Sequence, residues 1–233
     1  AVVYPGGTTP LLLLHEKGQA ASALASKAKA LQREGFTVFN LEWKPATGKK
    51  GIFPVETEQI EAAVSYVRAH AAQWSVDPSR LVMLGGSRGA LLAMLVGERE
   101  NTLARGTVKA VGSLSGQVNP QASIERARRG ELESVMTGTL AQAFGCTKDL
   151  SSCPEAYVRE WSPLDKVSSS APAMLLAASE TEHRAWVPDQ FETAEALHAA
   201  GVAASVFVTS SGHGFGYWGQ ARAQVIAFLR AQA

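Results

Sequence analysis

A short, mostly apolar run, Arg80-Leu81-Val82-Met83-Leu84, passes through Gly85-Gly86-Ser87-Arg88-Gly89 directly into a second apolar stretch, Ala90 to Leu95. The first run has the length of a buried strand, and the second suits a buried helix. Glycines on both sides of Ser87 lack a Cβ, so strand and helix can approach closely across a sharp turn. A strand–turn–helix unit of this kind belongs to a parallel sheet covered by helices. The alternative is a glycine-rich turn with a capping serine.

The rest of the chain repeats that alternation. Val2-Val3-Tyr4 reads as an edge strand, and Leu11 to Leu14 as a strand buried on both faces. A helix is expected over 20–33, stopped at Gly35, with a strand over 36–41. Residues 42–55 hold prolines, glycines and lysines and read as a loop. Ile60, Val64, Val67 and Ala71 then mark one buried helix face. Strands follow over 109–114, 173–178 and 205–209, with helices over about 188–199 and 217–231. Residues 116–171 break the rhythm and read as an insertion above the sheet edge, able to form part of a lid. At 233 residues a single domain spanning 1–233 is expected.

Composition excludes several partners. The net charge is +1, and lysine and arginine form no long stripe, so nucleic acid is not expected. Arg126, Arg128 and Arg129, followed by Glu131 and Glu133, read as a solvated surface. No apolar run approaches the roughly 18 residues of a membrane span. The two cysteines, Cys146 and Cys153, lie seven apart in a polar stretch. A disulfide closing a small loop is expected there, with two free surface thiols as the alternative. Two cysteines without clustered histidines make a poor zinc site, so no metal is expected. The pair and the opening Ala1 fit a secreted or periplasmic protein, with the cytoplasm as the alternative.

Ser87 is the candidate nucleophile, and a neutral hydroxyl needs a base. Of the five histidines, His213 stands between glycines in a loop just past the last strand, where an open parallel sheet builds its site. His70 and His198 lie on or near helices and read as ordinary surface residues. His15 reads as bracing its loop. A carboxylate should orient the base from the loop after 173–178. Glu182 is favoured there; Glu180 and Asp189 remain alternatives, and Asp189 also suits the start of a helix as a cap. Oxyanion donors are expected from the backbone N–H of Arg88 and of Glu16 or Lys17. Trp186, Phe215 and Trp218 flank these positions and offer an aromatic wall for substrate, or plain core packing.

These residues resemble an α/β-hydrolase of the esterase and dienelactone-hydrolase-like group. The chain is most similar to small bacterial esterases and feruloyl-esterase-like enzymes related to the prolyl oligopeptidase catalytic domain. The resembling stretches are Val2 to Pro5, Leu12 to His15, 56–80, Gly85 to Gly89, Trp161 to Leu164, Ala171-Pro172, Val187-Pro188 and Gly212 to Phe215. The resemblance implies an α/β-hydrolase fold, the order Ser87, Glu182, His213 for nucleophile, acid and base, and cofactor-free hydrolysis through an acyl-enzyme. Relatives usually carry an aspartate three residues before the Val-Pro pair, where Arg184 stands here. They often read His-Gly-Gly where this chain reads His15-Glu16-Lys17. The expected function is hydrolysis of short-chain or aryl esters, as small molecules or attached to a polysaccharide. A serine peptidase and a non-catalytic binding protein on the same fold are the alternatives.

Overall fold

The computed structural model describes residues 1–16, 20–46, 51–104, 106–132, 134–182 and 186–233. Seven strands, β1 (Val2–Tyr4), β2 (Thr9–Leu14), β3 (Phe36–Leu41), β4 (Val82–Gly86), β5 (Ala110–Leu114), β6 (Ala173–Ser179) and β7 (Ala204–Thr209), form one sheet in the order β1-β3-β2-β4-β5-β6-β7. Only β1 runs antiparallel, pairing Val3 with Phe39 at the β3 edge. This is the α/β-hydrolase fold.

The unbroken Leu11-Leu12-Leu13-Leu14 run works because both faces of β2 are covered. Leu12 and Leu14 pack with Ile60, Val64 and Val67 of α2 (Val55–Ala69) and with Leu91 to Val96 of α3 (Arg88–Leu103). Leu11 and Leu13 point the other way, onto Ala28 and Leu31 of α1 (Ala25–Arg33) and Val225 and Leu229 of α9 (Trp218–Gln232). All four leucines are fully buried, each contributing roughly 1.5–3 kcal/mol of apolar burial. The edge strand β1 stays partly exposed.

Four helices fill the stretch between β5 and β6: α4 (Pro120–Arg128), α5 (Ser134–Phe144), α6 (Glu155–Glu160) and α7 (Pro163–Lys166). Cys146 and Cys153 form a disulfide that ties the end of α5 to the segment leading into α6. The helix after β6 is α8 (Val187–Ala199).

Two expectations are corrected here. Arg126 is not solvated: it is buried, and its guanidinium makes a two-pronged ion pair with Asp189 on α8, one contact being Nη1 to Oδ1 at 3.1 Å. Its Cζ also lies 5.1 Å from the Trp186 ring centroid. Asp189 accordingly is not the helix cap; Trp186 holds the cap position. The approach of α4 to α8 is a tertiary event, so it left no local mark on either segment. Arg129 does behave as expected, pairing with Glu131 at the surface, and Glu133 lies outside the described residues.

From β2 the chain moves outward to β3, then crosses back to β4 on the other side of β2. Strand order therefore reverses between β2 and β4. A crevice opens at the carboxyl ends of parallel strands at such a point, and the loops carrying Glu16 and Ser87 flank it.

Candidate active site

β4 runs through Gly86, so Ser87 follows the last strand residue and precedes the first turn of α3. Its backbone is held at φ 53°, ψ −119°. That region is disfavoured for a residue with a Cβ and costs of order 1–3 kcal/mol. The turn is gripped from both sides. The Ser87 N–H donates to Leu114 O at 2.8 Å, and the N–H groups of Ala90 and Leu91 return to Ser87 O. Gly89 is needed because a Cβ there would lie 2.2 Å from His15 O and 2.8 Å from Leu14 O. The opening of α3 thus rests directly on the end of β2. Arg88 is the first helical residue, where N–H groups lack an intrahelical acceptor.

His213 stands in the loop after β7. Its Nδ1–H donates to Glu182 Oε2 at 2.5 Å, while Glu182 Oε1 accepts the Ser179 N–H at 3.2 Å. Glu182 is nearly buried, its side chain 7% exposed against 27% for His213. His213 Nε2 is buried and makes no hydrogen bond among the described residues. Glu180 is exposed and Asp189 is committed to Arg126, so among the three candidate carboxylates Glu182 is the one bonded to this histidine.

Sequence reasoning missed the groups that hold this loop. The Gly214 N–H donates to Ser115 Oγ at 2.8 Å; Ser115 donates on to Tyr217 Oη, and Tyr217 to Ala177 O, each at 2.9 Å. Burial pushes the Tyr217 phenol well above its ordinary value, so it stays a neutral donor. Ser179 Oγ donates to Gly212 O at 2.7 Å. Ser115 and Ser179 both stand at the ends of parallel strands, the one available signal.

Glu16, a candidate oxyanion donor through its backbone N–H, also reaches across the crevice with its side chain. Its carboxylate accepts the Phe215 N–H at 3.3 Å, and a Cβ on Gly214 would lie 2.3 Å from its Oε1. Gly214, at φ 52°, is the residue that leaves this room. Lys17 lies outside the described residues, as do His183 and Arg184. His15 is buried and donates from Nε2 to Asn40 Oδ1 at 2.6 Å. Burial pushes its imidazole below the ordinary value, which keeps it neutral, in keeping with a brace. His70 bonds its own helix at Tyr66 O and His198 bonds Ala204 O, both at the surface.

A cavity of about 160 Å³ opens beside Ser87. Its wall comes from Arg88 and Leu91 of α3, Ile52, Ser115, Gln117, and one side of α5. The expected aromatic wall is not part of it. Phe215 packs under the turn, its ring where a Gly86 Cβ would be, and Trp218 packs on Phe215 at 6.2 Å between centroids. Trp186 borders a separate open depression with Glu180, Glu182 and Val208. Among the described residues no cluster of His, Cys, Asp and Glu is fit to hold a metal, and no helix is long and apolar enough to cross a membrane.

The fold and this arrangement of loops define a hydrolase of the α/β class. The family model BD-FAE matches residues 13–190, and this chain belongs to that family of α/β-hydrolase esterases. It is an enzyme of the hydrolase class. The match ends before His213, so that loop is known from the structure alone. A sequence search of curated proteins finds no match. Among solved structures, an acetyl ester-xyloside bifunctional hydrolase from Caldicellulosiruptor lactoaceticus is 18% identical, with a TM-score of 0.73, covering 97% of this chain and 84% of that one. A Pyrobaculum calidifontis esterase is also 18% identical, with a TM-score of 0.76 and coverages of 99% and 81%. One of two Rhizomucor miehei fungal esterases gives 18%, 0.75, 97% and 75%. At these identities the likeness is one of fold.

Proposed function

We propose that this chain hydrolyses short-chain or aryl carboxylic esters through an acyl-enzyme on Ser87. The observation that carries this reading is the Glu182–His213 pair, held at 2.5 Å beside the strained Ser87 turn. With Nδ1–H donated to Glu182, Nε2 is the basic nitrogen. It takes the Ser87 hydroxyl proton as Oγ bonds to the ester carbonyl carbon. The carbonyl electron pair moves onto oxygen, toward the N–H of Arg88 and a second donor from the Glu16–Lys17 loop. Collapse of this intermediate breaks the bond to the alkoxy oxygen, and the alcohol leaves with the proton from His213. Water then attacks the acyl-enzyme, giving a proton to His213. The second collapse returns that proton to Ser87 Oγ and releases the acid. Serine–histidine bonds of this kind tighten when substrate is bound.

The size of the cavity supports small acyl groups, since about 150 Å³ is enough to hold benzene. One side of α5 forms its wall, which supports a lid role for part of 116–171. The Caldicellulosiruptor hydrolase, named for acetyl ester-xyloside activity, supports a saccharide-linked ester as one substrate form. The disulfide supports export to an oxidising compartment.

Ser87→Ala is expected to abolish fluorophosphonate labelling and hydrolysis of phenyl acetate while leaving the thermal melt cooperative. A variant that still labels at the original rate removes Ser87 from this role. Faster cleavage of peptide anilides than of esters replaces the esterase reading with a peptidase one.

A further inference from the structure

We infer that the cavity beside Ser87 is an acyl subsite for esters of dicarboxylic acids, with Arg88 and Gln117 receiving the distal carboxylate. This rests on the ester-hydrolase reading above and adds the substrate class to it.

The cavity is apolar along Ile52, Leu91, Met136 and Ala143. Polar groups interrupt that lining: the hydroxyl residues Ser87, Ser115 and Thr139, and the nitrogen-bearing side chains of Arg88, Gln117 and Gln142. Arg88 is 8% exposed, and one of its amino groups donates to Glu56 Oε1 at 3.1 Å. Glu56 is fully buried behind it and is not part of the cavity wall. Its Oε1 is shared with the Ala46 N–H, so Glu56 pins one end of a planar fork. Among the described residues the guanidinium makes no other hydrogen bond, and Arg88 is one of the residues lining the cavity. Gln117 lines the same cavity, and its buried Nε2 has no hydrogen-bond partner among the described residues.

A buried donor left unpaired is destabilising, so the Gln117 amide calls for an acceptor. Burial also pushes the Arg88 guanidinium below its ordinary value, which means that Glu56 does not fully offset its desolvation. A carboxylate answers both needs. It matches the guanidinium fork in two parallel bonds, which a single hydroxyl cannot do. Four acceptor sites leave one for the Gln117 amide. Among the described residues no carboxylate belongs to the cavity wall.

The acyl side of the ester is the part that enters. The leaving alcohol has to take its proton from His213, and His213 is not among the residues around the cavity. The volume holds about six non-hydrogen atoms beyond the reacting carbonyl, judged against benzene in a cavity of similar size. A glutaryl group supplies that number.

The test compares kcat/KM for monophenyl glutarate and phenyl 5-methylhexanoate, whose branched end has the shape of a carboxylate without its charge. The wild-type enzyme is expected to favour the glutarate by about 10-fold or more. Gln117→Leu should reduce that ratio several-fold. Arg88→Met combined with Glu56→Gln, which leaves no carboxylate orphaned, should abolish or invert it. Phenyl acetate, whose acyl group has no distal end for the Arg88 side chain to receive, reports ester hydrolysis by itself. If phenyl acetate is cleaved but the two longer esters react equally, the subsite is overturned and the esterase reading stands. A preference that survives in both variants overturns it as well. If phenyl acetate is not cleaved and Ser87 does not label, the underlying reading fails instead. Should the double variant not fold, the Gln117→Leu ratio decides alone.

Discussion

Glu182 is the residue on which sequence and geometry bear most directly. Its Oε2 bonds His213, while Glu180 is exposed to solvent. On the proposed mechanism it fixes the His213 tautomer. Glu182→Gln is then expected to lower kcat toward the roughly 10⁴-fold seen when the equivalent acid of a serine protease is neutralised. Glu180→Gln should leave kcat unchanged. Steady-state kinetics of both variants on phenyl acetate separate the two carboxylates, and equal losses would remove Glu182 from its role. Ser87, His213 and a short list of acids were legible because each follows a strand end in chain order. Ser115, Tyr217 and the Glu16 side chain were not. Their work is to bond across 40 to 199 residues of chain, and no local pattern records such a partner.

At the scale of elements, the insertion is fastened to the rest of the molecule by charge as well as by packing. Arg126 of α4 and Asp189 of α8 are both largely buried and answer each other. Gln190 adds a bond from its Nε2 to Gly116 O at 3.2 Å. Burial raises the Asp189 carboxyl while Arg126 pulls it down, the usual balance for a desolvated pair. Asp189→Asn strands a buried guanidinium, and breaking such a pair costs about 3–5 kcal/mol. Replacing both partners, Arg126→Met with Asp189→Leu, should cost far less. Urea denaturation of the two variants checks this, and a single-variant loss below about 1 kcal/mol would show that water reaches the pair. The helix α2 was readable from the spacing of Ile60, Val64 and Val67, and α3, α8 and α9 from their place after each strand. The Arg126 environment was not, because a basic cluster beside glutamates looks the same whether or not another helix closes over it.

For the molecule as a whole, one buried group works against stability at neutral pH. Glu98 of α3 is 3% exposed, and neither carboxyl oxygen has a hydrogen-bond partner. Burial raises its carboxyl well above 4.5, and Lys166 is the charge that opposes the rise. In the unfolded chain this carboxyl ionises at its ordinary value, so the folded state binds more protons above that pH. Stability from this group is fully present below the unfolded value and is lost as pH rises through the gap toward the folded one. Glu98→Gln removes that loss. It should raise the melting temperature at pH 7 by about 2–4 °C for each 1 kcal/mol recovered, with a smaller gain near pH 4. Melts across that range test it, and a pH-independent difference would assign the effect to packing. The sequence by itself determined the alternation of strands and helices, the parallel sheet and the serine turn, because apolar spacing and glycine placement act over a few residues. Tertiary structure alone decided that the cavity beside Ser87 is walled by α5, Arg88 and Gln117 instead of by Trp186, Phe215 and Trp218. Which side chains line a space depends on how distant elements pack, and an aromatic residue serves a core or a pocket equally well until that packing is made.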